Sequence, residues 1–172
     1  EVAEAEERLR GDEPAAARAY LAAFNARPGF RPPLDALIRL YTRRRSVQNL
    51  TRLFDAMAKA APTPHDKAEA LTRKAELQED RLDDLPGARA TFEAAVAVEP
   101  GYLPAWLGLE RLALRSGDRE LLVRCLAQLA DRTQDPNRKA RLLLELATEL
   151  ARSEDPALVA DAAQWLRVAA EQ

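Results

Sequence analysis

Apolar positions recur at helical spacing along almost the whole chain, and most stripes are cut short by a proline or a glycine–acid turn. One stripe is Leu34, Leu37, Leu40 and Tyr41, and a second is Leu50, Phe54, Met57 and Ala58. Trp106, Leu109, Leu112 and Ala113 form a third, and Leu122, Leu126, Leu129 and Ala130 a fourth. Such spacing gathers the apolar residues on one side of a helix, leaving a face that must be buried. All eleven prolines lie between these stripes, where a missing N–H and a fixed φ do least harm. Thr63-Pro64, Asp135-Pro136 and Asp155-Pro156 set a capping oxygen before a ring suited to the first helical turn, and mark helix starts. Pro28-Gly29 and Pro100-Gly101 follow long apolar-periodic runs and mark helix ends. This punctuation predicts ten helices in about five antiparallel pairs: 1–10 with 14–27, 32–44 with 47–60, 65–82 with 86–98, 103–115 with 118–132, and 138–152 with 157–170.

The punctuation is periodic. Pro28, Pro64, Pro100 and Pro136 stand 36 residues apart, and a fixed period of this length marks a stacked-repeat architecture. A shift of 72 residues matches more: Pro14 with Pro86, Pro28-Gly29 with Pro100-Gly101, Leu37 with Leu109, Leu40 with Leu112, and Leu50 with Leu122. The repeating entity is therefore a 72-residue pair of alternating units. A lone helix hairpin cannot bury its stripe, so the units must stack and coil into a superhelix with a concave face. The expected fold is an all-α, right-handed α-solenoid occupying residues 1–172 as one repeat domain. The chain opens on Glu1 inside a helical pattern, and its last helix carries Trp165, Leu166, Val168 and Ala169 without a polar cap. Both ends read as cuts through a longer repeat protein, and exposed end helices give it a route to homo-oligomers.

Charge narrows the choice of partner. With 26 basic and 28 acidic side chains the formal net charge is −2, which gives no overall pull toward nucleic acid or an anionic membrane. The longest apolar runs are too short for a membrane span. A single cysteine, Cys125, rules out an internal disulfide and favours a reducing, cytoplasmic setting. His65 is the single histidine, so no nucleophile–base pair is identifiable. No ligand-spaced cluster suggests a metal, no glycine-rich loop suggests a nucleotide, and no cofactor is expected. His65 reads as a polar residue in a first helical turn, and Cys125 as a small buried hydrophobe. Glu79-Asp80 with Asp83-Asp84 reads as a solvated acidic turn, and Arg43-Arg44-Arg45 as a cationic helix end favoured by the macrodipole.

Two short patterns resemble a known family. Ala16, Tyr20, Ala23 and Pro28, and again Ala88, Phe92, Ala95 and Pro100, have the spacing of the second helix of a tetratricopeptide repeat. Trp106 with Leu109, and the turns Gly11-Asp12 and Gly117-Asp118, are similar to the rest of such a unit. Ile38 and Glu110 stand where the family has a small residue, and Leu50 and Leu122 where it has alanine. The segment 36–41 followed by 53–57 is similar to one pentatricopeptide unit, a family whose arrays read single-stranded RNA. One such unit without a basic excess makes no RNA reader, so nucleic acid is not an expected partner.

The tetratricopeptide resemblance implies a non-catalytic scaffold whose first helices line a concave groove for a protein or peptide. The residues it places there are Arg39 and Arg43, then Leu107, Arg111, Leu114 and Arg115, then Arg141 and Arg152, with Asp35, Glu69, Thr72, Glu76, Leu144 and Thr148 beside them. A basic, leucine-bearing C-terminal half facing an acidic middle suggests a partner segment with acidic residues beside an apolar anchor. The alternative is a structural spacer or self-assembly module.

Overall fold

A computed structural model of the chain describes residues 13–27, 30–152, 164, 165 and 167. Eight helices are delimited among them, with no strand: α1 Glu13–Ala26, α2 Arg31–Arg43, α3 Val47–Ala60, α4 Pro64–Leu82, α5 Leu85–Val98, α6 Leu103–Ser116, α7 Arg119–Arg132 and α8 Pro136–Ala151. Each boundary falls within two residues of its sequence-based expectation. The helix expected over 1–10 and most of that over 157–170 lie outside the described residues, as do Pro28 and the Asp155-Pro156 start.

Local chemistry sets these boundaries. The Thr63 side chain accepts a hydrogen bond from the Asp66 backbone N–H at 3.1 Å, and Asp135 accepts one from Asn137 at 3.0 Å. Asp84 and Asp118 do the same for Gly87 and Leu121, each at 3.0 Å. Each such cap satisfies a donor that the first turn leaves unpaired, a contribution of about 1 kcal/mol. At the Pro100 turn the proline carbonyl accepts from the Trp106 indole at 2.8 Å, fixing the entry of α6.

The helices stack as a solenoid in chain order, and α4 divides the core. One apolar cluster joins α1, α2 and α3, with Leu77 of α4 packed against it. A second begins at Ala68 and Ala75 of α4 and runs through α8. Ala88, Phe92 and Ala95 are fully buried in that second cluster, as the resemblance implies. In the first unit Ala16 and Tyr20 are buried but Ala23 is exposed, and Phe24 turns inward in its place.

Two turns related by the 72-residue shift share a left-handed conformation. Gly117 ends α6 with φ 69°, and Arg45, its counterpart after α2, has φ 52°. Glycine adopts this conformation freely, whereas a residue with a Cβ is strained by about 1–2 kcal/mol.

Two helices approach closely at Gly108 of α6. A Cβ there would lie 2.4 Å from the Phe92 ring, which is fully enclosed and has no room to move aside. Gly108→Ala should therefore lower stability by about 1–2 kcal/mol in urea unfolding, although alanine is the better helix former by about 1 kcal/mol. A stabilised variant would show that α5 and α6 are less tightly packed than described.

Candidate partner-binding grooves

The first helices of successive pairs, α2, α4, α6 and α8, form three seams, and the middle one is closed by a buried ion pair. Glu79 of α4 has only 2% of its side chain exposed. Arg111 of α6 grips both its oxygens, from Nε at 3.0 and 3.1 Å and from Nη2 at 2.6 Å, and Arg115 Nη1 adds a bond at 3.0 Å. Two guanidinium groups thus compensate one desolvated carboxylate. The hydrogen bonds from Arg111, with those from Arg115, hold the Glu79 carboxyl below its ordinary range against the upward push of burial. The expectation of a solvated turn at Glu79 is therefore corrected: it is an inward-facing helical residue, while Asp80 and Asp83 are exposed. Thr72, expected in the groove, is also buried one face round, with no hydrogen-bond partner for its hydroxyl.

The α6–α8 seam is open. Two hollows of about 480 and 560 Å³ share Glu110, Arg141 and Glu145 and form one trough. Leu107 lines the first hollow, and Leu114, Leu144, Thr148 and Arg152 the second. Leu114 and Leu144 are 63% and 52% exposed, more than almost any other large apolar side chain described. The arginines beside them are engaged on their own helix, Arg141 with Glu145 at 3.0 Å and Arg152 with Glu149 at 2.7 Å. Glu110 sits on the floor, where burial raises its carboxyl above the usual value. The trough therefore offers apolar surface first and charge second.

The α2–α4 seam is pinned at one end and open at the other. Arg31 at the start of α2 reaches Asp66 at 3.1 Å and Glu69 at 2.8 Å on α4. Beyond this clasp lies a hollow of about 600 Å³ floored by Ile38, Leu50, Phe54 and Leu77, with Arg45, Glu76, Asp80 and Arg81 on its walls. Burial raises the Glu76 carboxyl, opposed by the Arg111 charge. Of the two arginines expected here, Arg39 is exposed outside the hollow, and Arg43 reaches back to Glu13 at 2.6 Å.

The eight candidate residues are thus distributed rather than gathered. Leu107, Leu114, Arg141 and Arg152 share the α6–α8 trough, Arg111 and Arg115 close the neighbouring seam, and Arg39 and Arg43 lie apart. Of the residues expected to line a groove, Glu76 lies on the wall of the α2–α4 hollow, whose apolar floor was not among them. The 72-residue shift carries its signal, since Thr42, Leu50, Phe54 and Asp80 map onto Leu114, Leu122, Leu126 and Arg152 of the trough.

Chemistry other than binding finds little to build on. Cys125 is enclosed, and burial pushes its thiol up to about 12, far from a reactive thiolate. His65 stands exposed in the first turn of α4, edge-on to Tyr102 and 3.2 Å from Glu99. Among the described residues no group of His, Cys, Asp and Glu is arranged to hold a metal ion. No described helix is long and apolar enough to cross a membrane.

No protein-family model matches the sequence, and no curated protein matches it at a significant level. Among solved structures, the chain is similar in fold to MamA, a tetratricopeptide-like helical protein. One MamA crystal structure aligns with a TM-score of 0.56 at 18% identity, over 99% of this chain and 94% of that one. A second gives 0.55 at 18%, over 98% and 86%, and the MamA RS-1 ArsTM double mutant gives 0.53 at 18%, over 99% and 91%. The likeness shows a helical solenoid.

Closure of the middle seam by Glu79 has a measurable consequence. Replacing both Arg111 and Arg115 with alanine leaves a buried carboxylate unpaired and should cost about 3 kcal/mol in chemical denaturation. Adding Glu79→Met should recover most of that loss, because the stranded charge rather than the lost attraction carries the cost. The wild-type advantage should be full above the unfolded carboxylate pKa of about 4.3 and disappear as pH falls through the lower folded value. A triple variant no more stable than the double would contradict this role.

Proposed function

We propose that the protein is a tetratricopeptide-like, non-catalytic scaffold that binds a protein or peptide partner in the trough between α6 and α8. One observation carries this reading: Leu114 and Leu144 stand exposed on facing walls of a hollow of about 560 Å³. Exposed leucines gathered in a concavity, rather than scattered, mark a surface that gains by being covered. Two apolar anchors of a partner segment fill the trough, a mode in which helical grooves take side chains at helical spacing. Arg141 and Arg152 on α8 supply rim contacts by exchanging Glu145 and Glu149 for partner carboxylates, at small cost because exposed pairs contribute about 0–1 kcal/mol. The solenoid fold shared with MamA supports the scaffold class.

Arg111→Glu and Arg115→Glu are poor probes of this trough, because they would set like charge against Glu79. Leu114→Lys with Leu144→Lys is the clean variant: both sites are solvated, so the folding cost should stay within about 0.5 kcal/mol per site. The expected outcome is loss of partner capture from the native source with an unchanged melting curve. An unchanged set of captured partners would exclude the trough as the site.

A further inference from the structure

We infer that the hollow between α2, α3 and α4 is a second docking site, for a segment bearing two apolar anchors and an acidic residue, with Arg45 determining that specificity. This rests on the scaffold reading above but concerns the other groove.

The first support is equivalence. The 72-residue shift that relates the two halves carries most of this hollow onto the α6–α8 trough along three helices: Ile38, Thr42, Leu50, Phe54, Glu76 and Asp80 map onto Glu110, Leu114, Leu122, Leu126, Thr148 and Arg152. The two sites are copies of one architectural feature, with about 600 Å³ here and about 560 Å³ in the equivalent hollow of the trough. Its floor is apolar, with Ile38 and Leu77 reachable from solvent and Leu50 and Phe54 beneath them.

The second support is charge. In the α6–α8 trough Arg141 and Arg152 are bound to glutamates within one turn, and of its lining arginines Arg138 alone forms no ion pair with a described carboxylate. In this hollow Arg73 is bound to Glu69 on its own helix, whereas Arg45 and Arg81, also on the wall, form no ion pair with any described carboxylate. Arg45 follows the C-terminal end of α2 and Arg81 lies in the last turn of α4, so they sit at one end of the hollow. Glu76 and Asp80 lie on α4 beside Arg81. A uniformly acidic segment would be repelled by them, whereas one with its acid at the Arg45 end avoids both.

The third support is conformational. Arg45 occupies a left-handed position, φ 52°, that its counterpart fills with Gly117, φ 69°. The turn requires this backbone, and glycine meets the requirement without strain. Keeping an arginine there retains strain while placing a guanidinium on the wall of an apolar hollow, and such strain is commonly held at binding positions.

The test uses the full chain and two fluorescein-labelled 12-residue peptides with amidated C-termini. Each carries two leucines at i and i+4, followed by either Asp-Glu or Lys-Lys. Fluorescence polarisation should show the acidic peptide binding at least tenfold more tightly than the basic one. Arg45→Gly should weaken the acidic peptide about tenfold, the loss of one charge-assisted contact, while the melting temperature holds or rises by about 2 °C. In the Leu114→Lys, Leu144→Lys background the acidic peptide should still bind and Arg45→Gly should still weaken it about tenfold, which separates the site from the trough. Equal binding of the two peptides, binding insensitive to Arg45→Gly, or no binding to the wild-type chain would each overturn the inference. Loss of acidic-peptide binding in the leucine variant alone would overturn it in favour of the trough.

Discussion

A carboxylate with 2% of its side chain exposed cannot remain uncompensated, and Glu79 obliges α6 to stand where Arg111 and Arg115 can reach it. This requirement fixes one seam of the solenoid. Gly108 tightens the same region by admitting the Phe92 ring against the α6 backbone. The seams on either side lack such a lock. The α2–α4 seam is clasped at one end by Arg31, and the α6–α8 seam opens into a trough. Closed and open seams therefore alternate, and a 72-residue rather than a 36-residue unit is the physical repeat.

Alternation converts a packing requirement into a distribution of surface. At the closed seam the arginines are held by a buried partner. At the open seams the same helix faces present Leu114 and Leu144 at one seam and Ile38 and Leu77 at the other. The binding proposed above, by apolar anchors with charge at the rim, draws on this arrangement, since desolvated side chains contribute most of the affinity and rim charges mainly specificity.

Much of the fold was legible in the sequence because its boundaries are local. Thr63 and Asp135 bond to N–H groups two or three residues away, so cap and proline appear together in a short window. The apolar stripes likewise report a face from four or five consecutive positions. Glu79 was misread because its partners lie 32 and 36 residues downstream. Its acidic neighbours in sequence, Asp80, Asp83 and Asp84, suggested solvent, while the helix turned Glu79 alone inward. Arg111 and Arg115 were placed on the correct helix, but no short-range signal could reveal that they face a buried charge. For Arg45 a signal existed: the 72-residue shift sets it opposite Gly117, and a glycine at a helix end announces a left-handed turn.

The alternation of closed and open seams is tested most directly by electron–electron distance distributions between spin labels at exposed positions. Labels at Asp80 and Leu114 span the closed α4–α6 seam, and labels at Thr42 and Asp80 span the open α2–α4 seam. The expected result is a narrow distribution across α4–α6, broadened by Arg111→Ala with Arg115→Ala, and a wider one across α2–α4 that the same substitutions leave unchanged. Equal widths in the unsubstituted protein, or a closed-seam distance indifferent to loss of both arginines, would contradict it.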